Sequence, residues 1–307
     1  MIEVKKFATL TGHRDAIYTL QPGEFDHIVY SAGGDGMIVE WDLRQPDQGD
    51  LLVKVPNSVY ALHRLPETNQ LVVAQNQQGI HLIDLRERKE IASLHLTTSS
   101  IFDIKHQGTF LFIATGEGIL YVVDLKKWQV VKRLALSDKS LRTLVVNEPA
   151  AQLIVGSSDC MIRVVSLEDF SIVKEWQAHE NSVFTLSFDK SYQTLMSGSR
   201  DARFKAWDVT GQYALKQEVV AHMFAINHIS FSPDGKHFVT CSLDKSIKVW
   251  SFDGLKLLKV IDKARHAGHG TSVNKLLWTS FNDQLVSASD DRTVSVWQLF
   301  FELNTNH

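Results

Sequence analysis

The sequence predicts an all-β fold: a seven-bladed β-propeller of four-stranded antiparallel blades, closed by the N-terminal strand completing the last blade. Three observations predict it. First, a unit of about 42 residues returns seven times, the size of one propeller blade. Its marks are Trp41-Asp42, Ile83-Asp84, Val123-Asp124, Val165-Ser166, Trp207-Asp208, Trp250 and Trp297, at spacings of 42, 40, 42, 42, 43 and 47 residues. Second, each unit alternates apolar and polar residues in short runs separated by turn residues, and helical periodicity is nowhere sustained. Third, the last unit has only three strands before the chain runs out of pattern near Phe300.

The sixth unit shows the plan of elements. Ile226 to Phe231 reads as a strand, and Ser232-Pro233-Asp234-Gly235 as a tight turn. His237 to Ser242, Ser246 to Ser251 and Leu255 to Ile261 read as the second, third and fourth strands, with Leu243-Asp244-Lys245 turning between the first two of these. Units five and seven repeat the plan. The strand missing from unit seven is expected from Glu3 to Leu10, which alternates acceptably and would remove an open edge. The seven units, with marks near Trp41, Ile83, Val123, Val165, Trp207, Trp250 and Trp297, fill residues 1–307 as one expected domain.

Composition narrows the partners. Net charge is −3 with both signs interleaved, and no Lys/Arg run suited to a phosphate backbone occurs, so nucleic acid is not an expected partner. No apolar run reaches about 18 residues, and Met1 to Leu10 lacks the organisation of a signal peptide. The two cysteines, Cys160 and Cys241, fall in different units and read as reduced thiols, which suits a cytoplasmic location. His266-x-x-His269 has no accompanying Cys or carboxylate cluster, so no metal is expected, and no glycine pattern has the context of a phosphate loop.

The paired marks Gly12-His13 with Trp41-Asp42, Ala178-His179 with Trp207-Asp208, Ala221-His222 with Trp250, and Gly268-His269 with Trp297 resemble the WD40-repeat family over essentially the whole chain. The Asp after Trp is replaced by Ser251 and Gln298 in the last two units. The resemblance implies a seven-bladed platform for protein or peptide partners, without a shared catalytic activity and without a cofactor.

Four units carry His, hydroxyl, Asp and Trp at matching offsets: His13, Ser31, Asp35, Trp41; His179, Ser197, Asp201, Trp207; His222, Thr240, Asp244, Trp250; and His269, Ser287, Asp291, Trp297. A Ser, a His and an Asp together invite a hydrolase reading, but a nucleophile is needed once per site, not four times around a ring. The family resemblance implies a structural hydrogen-bond chain instead. Units two to four lose its members together: Val55, Thr97 and Ser137 stand at the His offset, Val73, Ile113 and Val155 at the hydroxyl, and Ile83, Val123 and Val165 at the Trp. Joint loss is what hydrogen-bond energetics favours, because one orphaned buried partner costs about 1–3 kcal/mol while removing all can be near neutral. Gln77, Glu117 and Asp159 stay polar at the Asp offset, where they are expected to bond the turn backbone.

The family's top-face contacts cluster five residues after the repeat His. That offset holds Tyr18, Tyr60, Phe102, Arg142, Phe184, Asn227 and Asn274. Aromatics and Arg dominate binding hot spots, so the first five should form a continuous arc at the channel mouth. Arg200, just before the turn Asp201, is assigned to the same face. The expected protein is a monomeric, non-catalytic scaffold that binds a protein or peptide segment there. The alternative is a small-ligand sensor or enzyme using Asp103, His228 and Lys275 in the channel mouth. The longer loop Asp262–Gly268 reads equally as decoration or as a contact.

Overall fold

The computed structural model describes residues 2–301. Its strands form seven four-stranded antiparallel sheets, each running from an innermost to an outermost strand. In blade one these are Ile17–Pro22, Ile28–Gly33, Met37–Asp42 and Gly49–Lys54. The recurring mark therefore closes the third strand of blades one to six and lies within that of blade seven, and each sheet continues one strand beyond it. The innermost strands pack against their neighbours all the way round, with Val273–Trp278 of blade seven meeting Ile17–Pro22 of blade one.

The N-terminal strand Ile2–Thr11 is the outermost strand of blade seven. It pairs antiparallel with Thr293–Phe301, with Val4 opposite Leu299 and Leu10 opposite Val294. The expectation from the strand count holds, with one irregularity: the register shifts between Lys6 and Ala8, leaving Phe7 as an extra, exposed residue.

The core lies between blades. Each of seven clusters of buried apolar residues joins two successive blades, including the pair that closes the ring. Both faces of every sheet are covered, which explains near-continuous apolar runs such as Leu71-Val72-Val73-Ala74. The residues replacing the polar set in units two to four belong to this core: Val73, Ile83, Ile113, Val123, Val155 and Val165 are fully buried.

Two local details differ from the sequence reading. The fourth strand of blade six begins at Leu257, because Asp253–Leu255 make a single 3-10 turn. Its third strand begins at Ile247, because the Ser246 side chain bonds Asp244 in the turn. The loop after blade six is also more ordered than its composition suggests. Asp262 caps the helical turn Lys263–His266 by accepting from the Arg265 backbone N–H at 2.9 Å. Lys6 Nζ then donates to the Ala267 carbonyl at 2.9 Å and ties the loop to the N-terminal strand.

Candidate partner-binding face

The seven residues at the singled-out offset share one backbone feature. In every innermost strand the register shifts at that residue: Ile17 pairs with Gly33 and Thr19 with Ala32, leaving Tyr18 unpaired. Tyr60, Phe102, Arg142, Phe184, Asn227 and Asn274 are the extra residue in the same way. Such a bulge re-aims a side chain out of the regular alternation. Here all seven line one central cavity of about 700 Å³, and all are half-buried.

Five of them form a chain of contacts. Tyr18 meets Tyr60 edge to face at 4.7 Å between ring centroids, and Tyr60 stacks on Phe102 at 5.6 Å. The Arg142 guanidinium lies 4.1 Å from the Phe102 centroid and 5.4 Å from that of Phe184. Its Nε donates to Ser158 Oγ at 2.9 Å, which fixes the plane and leaves the two terminal nitrogens without a hydrogen bond among the described residues. Burial lowers the guanidinium's pKa from its ordinary value, and Arg200 nearby adds to this, although an Arg remains cationic throughout. Burial also raises the Tyr18 hydroxyl, helped by Tyr60, Asp15 and Asp290.

The other three assigned residues behave differently. Asn227 Nδ2 donates to Ser272 Oγ at 3.0 Å and to the Val273 carbonyl at 2.8 Å, so its amide latches blade six to blade seven. Asn274 Nδ2 donates to the Ile17 carbonyl at 2.9 Å and to Asp290 Oδ1 at 2.7 Å, latching blade seven to blade one. Their donor groups are thus committed to closing the ring. Arg200 is exposed and stands outside the residues lining the cavity.

The sequence places Leu243, like Arg200, on this face just before a turn Asp, but does not single out the two apolar residues beside it, Met223 and Phe224. The top of blade six carries Met223, Phe224 and Leu243, which are 81%, 55% and 50% exposed. They sit together because the Met223 N–H bonds Asp244 and the Leu243 N–H bonds the Ala225 carbonyl. At the two positions after the repeat His, other blades place mostly polar residues, such as Arg14-Asp15 and Glu180-Asn181, so the apolar cluster departs from the pattern.

The four polar sets are hydrogen-bonded chains. In blade five Trp207 Nε1 donates to Ser197 Oγ at 2.8 Å, Ser197 Oγ donates to His179 Nε2 at 2.8 Å, and His179 Nδ1 donates to Asp201 at 2.9 Å. Blades one, six and seven repeat this, with Trp-to-hydroxyl distances of 2.7, 3.0 and 2.8 Å. Each hydroxyl accepts from Trp and donates to His, and all four hydroxyl residues are fully buried, closed off from any substrate. Burial raises the Asp201 carboxyl, but the His179 hydrogen bond and the Glu180 and Arg203 backbone N–H groups outweigh it and hold the carboxyl at about 2. Asp35, Asp244 and Asp291 are likewise held below the usual range against burial.

At the Asp offset of units two to four, the expected turn-backbone bond is made by one side chain. Asp159 accepts from the Met161 N–H at 3.1 Å. Glu117 accepts instead from the Tyr121 hydroxyl at 2.7 Å, and Gln77 is exposed with no side-chain hydrogen bond among the described residues. Asp159 also anchors a substitute network: Arg163 donates to Asp159 at 2.6 Å, Ser157 at 2.8 Å and Glu175 at 3.1 Å.

In the channel, Asp103 is fully engaged. It accepts from Lys105 Nζ and the Ile104 N–H at 2.8 Å, and from the Leu144 N–H of blade four at 2.7 Å. His228 Nδ1 accepts from the Leu276 N–H at 3.4 Å, and burial, then Lys275 and Lys105, keep its imidazole well below the ordinary pKa. Cys160 and Cys241 are free thiols. Among the described residues no group of three or more His, Cys, Asp or Glu could hold a metal, and no helix is long and apolar enough to cross a membrane.

Known proteins decide the family. The family model described as WD domain, G-beta repeat matches residues 4–42, 170–208, 214–251 and 261–298. The chain belongs to the WD40 family. The matched segments are the four repeats that keep the polar chain, and the first begins in the strand contributed to blade seven. Transducin beta-like protein 3 of Rattus norvegicus is 24% identical over 95% of this chain and 40% of its own length. Protein HIR1 of Candida albicans is 32% identical over 30% of this chain and 10% of its own length. The chain thus spans well under half of these relatives. The crystal structure of the WD40 beta propeller domain of Doa1 superposes with a TM-score of 0.84 at 18% identity, over 96% of this chain and 97% of that one, and shares the fold. Fold and family both fit a protein-interaction scaffold.

Proposed function

We propose that this propeller is a non-catalytic scaffold that binds a protein or peptide segment on the face around the central channel. The observation that carries the reading is the arc of Tyr18, Tyr60, Phe102, Arg142 and Phe184, raised out of five consecutive sheets by the same bulge and continuous by ring and guanidinium contacts. Rigid aromatic surface supplies contact area at low entropic cost, and an Arg held beside two rings offers its terminal nitrogens to a carboxylate or another planar acceptor. The segment therefore combines an acidic or planar group with an apolar side chain. Met223, Phe224 and Leu243 extend the apolar contact towards the rim of blade six.

The test compares partner recovery and affinity for the unaltered protein, Arg142→Ala and Phe184→Ala. Each change should cost at least about 2 kcal/mol of affinity, as hot-spot truncations do. Arg88→Ala and Lys127→Ala, at exposed turns between third and fourth strands, serve as controls and should leave affinity unchanged. Affinity that is indifferent to both arc substitutions would remove the proposed site.

A further inference from the structure

Beneath the arc, the residue after each bulge turns its side chain into the same cavity, and three of these carry chemistry: Asp103, His228 and Lys275. Lys105, two residues further along the blade-three strand from Asp103, adds a second amine. The charges do not cancel. Asp103 accepts from Lys105 Nζ and from the Leu144 backbone, so this carboxylate is spent on one lysine and on the joint between blades three and four. His228 is held neutral. Lys275 is left with neither an ion pair nor a hydrogen bond among the described residues, although it lines a cavity with room for a side chain. Burial, the largest influence, lowers its pKa, opposed by Asp103 and assisted by Lys105. A half-buried ammonium without a partner is destabilising, and the same low-dielectric surroundings strengthen its attraction to any anion that reaches it.

The cavity's shape selects the anion. On this face its mouth is rimmed by the aromatic arc together with Asn227 and Asn274, so a group reaching Lys275 from the bound face must be carried on a stem that passes this rim. An acidic side chain on an extended segment meets both conditions. We infer that the channel is a carboxylate pocket, in which a Glu or Asp side chain of the bound segment passes the aromatic arc and pairs with Lys275. The inference rests on the peptide-binding reading above, and adds a second anion contact distinct from Arg142.

The probe is an immobilised array of heptapeptides with Glu, Asp, Gln or Asn fixed at the centre and the flanks randomised, exposed to labelled protein. The unaltered protein should retain Glu or Asp peptides at least about tenfold more than their amide counterparts, since a neutral amide leaves the Lys275 charge without a counter-charge. Lys275→Met, which keeps the apolar stem, should bring that ratio near one, and Lys275→Arg should restore most of it. Thermal melting reports folding of the variants, and Lys275→Met should melt no lower than the parent because it removes a poorly solvated charge. An acid preference that survives Lys275→Met would assign the acid to Arg142 and overturn the pocket. Retention that depends on Phe184 without any acid preference would overturn the pocket and leave the peptide-binding reading standing. No retention at all would remove both. Free glutarate that protects the melting of the unaltered protein as well as the best acidic peptide, and not that of Lys275→Met, would assign the pocket to small anions and overturn its peptide role.

Discussion

Asp201→Ala is the most direct test of how a complete blade is held. Asp201 accepts from His179 Nδ1 at 2.9 Å and from the Glu180 and Arg203 backbone N–H groups at 3.1 and 3.0 Å. Truncation orphans all three donors, and the imidazole lies in a fully enclosed site. Each orphaned buried donor costs about 1–3 kcal/mol, reduced where water enters the space left behind. Linkage supplies a separate figure. The carboxyl sits at about 2 against an ordinary 3.8. At about 1.4 kcal/mol per unit this contributes about 2–3 kcal/mol at neutral pH. Only the imidazole donor is enclosed, while water can replace the carboxylate at the exposed Glu180 and part-buried Arg203 N–H groups. The first route therefore gives about 1–3 kcal/mol plus a smaller backbone contribution, and both routes meet at about 2–3 kcal/mol. Gln77→Ala at the same offset in blade two removes an exposed side chain without a hydrogen bond, so its cost should stay below about 0.5 kcal/mol. Urea denaturation, read as the shift in midpoint at constant slope, measures both. Equal shifts for the two variants would refute the network account, as would a loss below about 0.5 kcal/mol for Asp201→Ala.

Acid should weaken the protein through the same carboxylates. Asp35, Asp201, Asp244 and Asp291 have folded pKa values below their unfolded ones, so their stabilisation is complete above about pH 5 and is lost as pH falls through 4 towards 2. Melting temperature across that window checks this, and Asp201→Ala should flatten the dependence. Removing residues 1–10 strips most of the outer strand of blade seven and exposes its edge, so the truncated chain should aggregate on light scattering. A monomeric truncation with unchanged melting would contradict it. In blade four, Arg163→Met strands the part-buried Asp159 carboxylate and should cost about 3 kcal/mol or more, while adding Asp159→Asn should recover part of it in a double-mutant cycle.

The architecture was legible because its determinants are side chains at fixed spacing. Trp41, Trp207, Trp250 and Trp297 recur with their histidines, and the strand count alone required Glu3 to Leu10 to complete blade seven. The arc was legible as a position but not as a shape. A bulge depends on how two strands pair, and residues as unlike as Tyr18, Arg142 and Asn274 occupy it, so no residue type signals it. The latching role of Asn227 and Asn274 was hidden for a related reason. An amide at the mouth suits a ligand and a neighbouring carbonyl equally, and only the distance to Val273 or Ile17 separates them. The Arg163 network could have been found, since an Arg in a third strand otherwise reading Met161-Ile162-Val164-Val165 is an anomaly between covered faces. Met223-Phe224 gave a comparable signal, two apolar residues where the repeat elsewhere turns to solvent.

Stability and the proposed recognition therefore reside in different registers of one repeat. The polar chain holds the turns of blades one, five, six and seven, whereas blades two to four fill the same space with Val73, Ile83, Ile113, Val123, Val155 and Val165. The arc crosses that divide without a break: Tyr60, Phe102 and Arg142 stand on blades that lack the complete chain, and Tyr18 and Phe184 on blades that have it. What all five share is the bulge, which requires only that the innermost strand carry one residue more than its partner. The chain can thus lose its buried polar set blade by blade, at small cost when all members go together, while the side chains of the central face keep their aim. By the same logic the residues of the arc are free to change type, which is how one ring comes to hold tyrosines on one side and asparagine latches on the other.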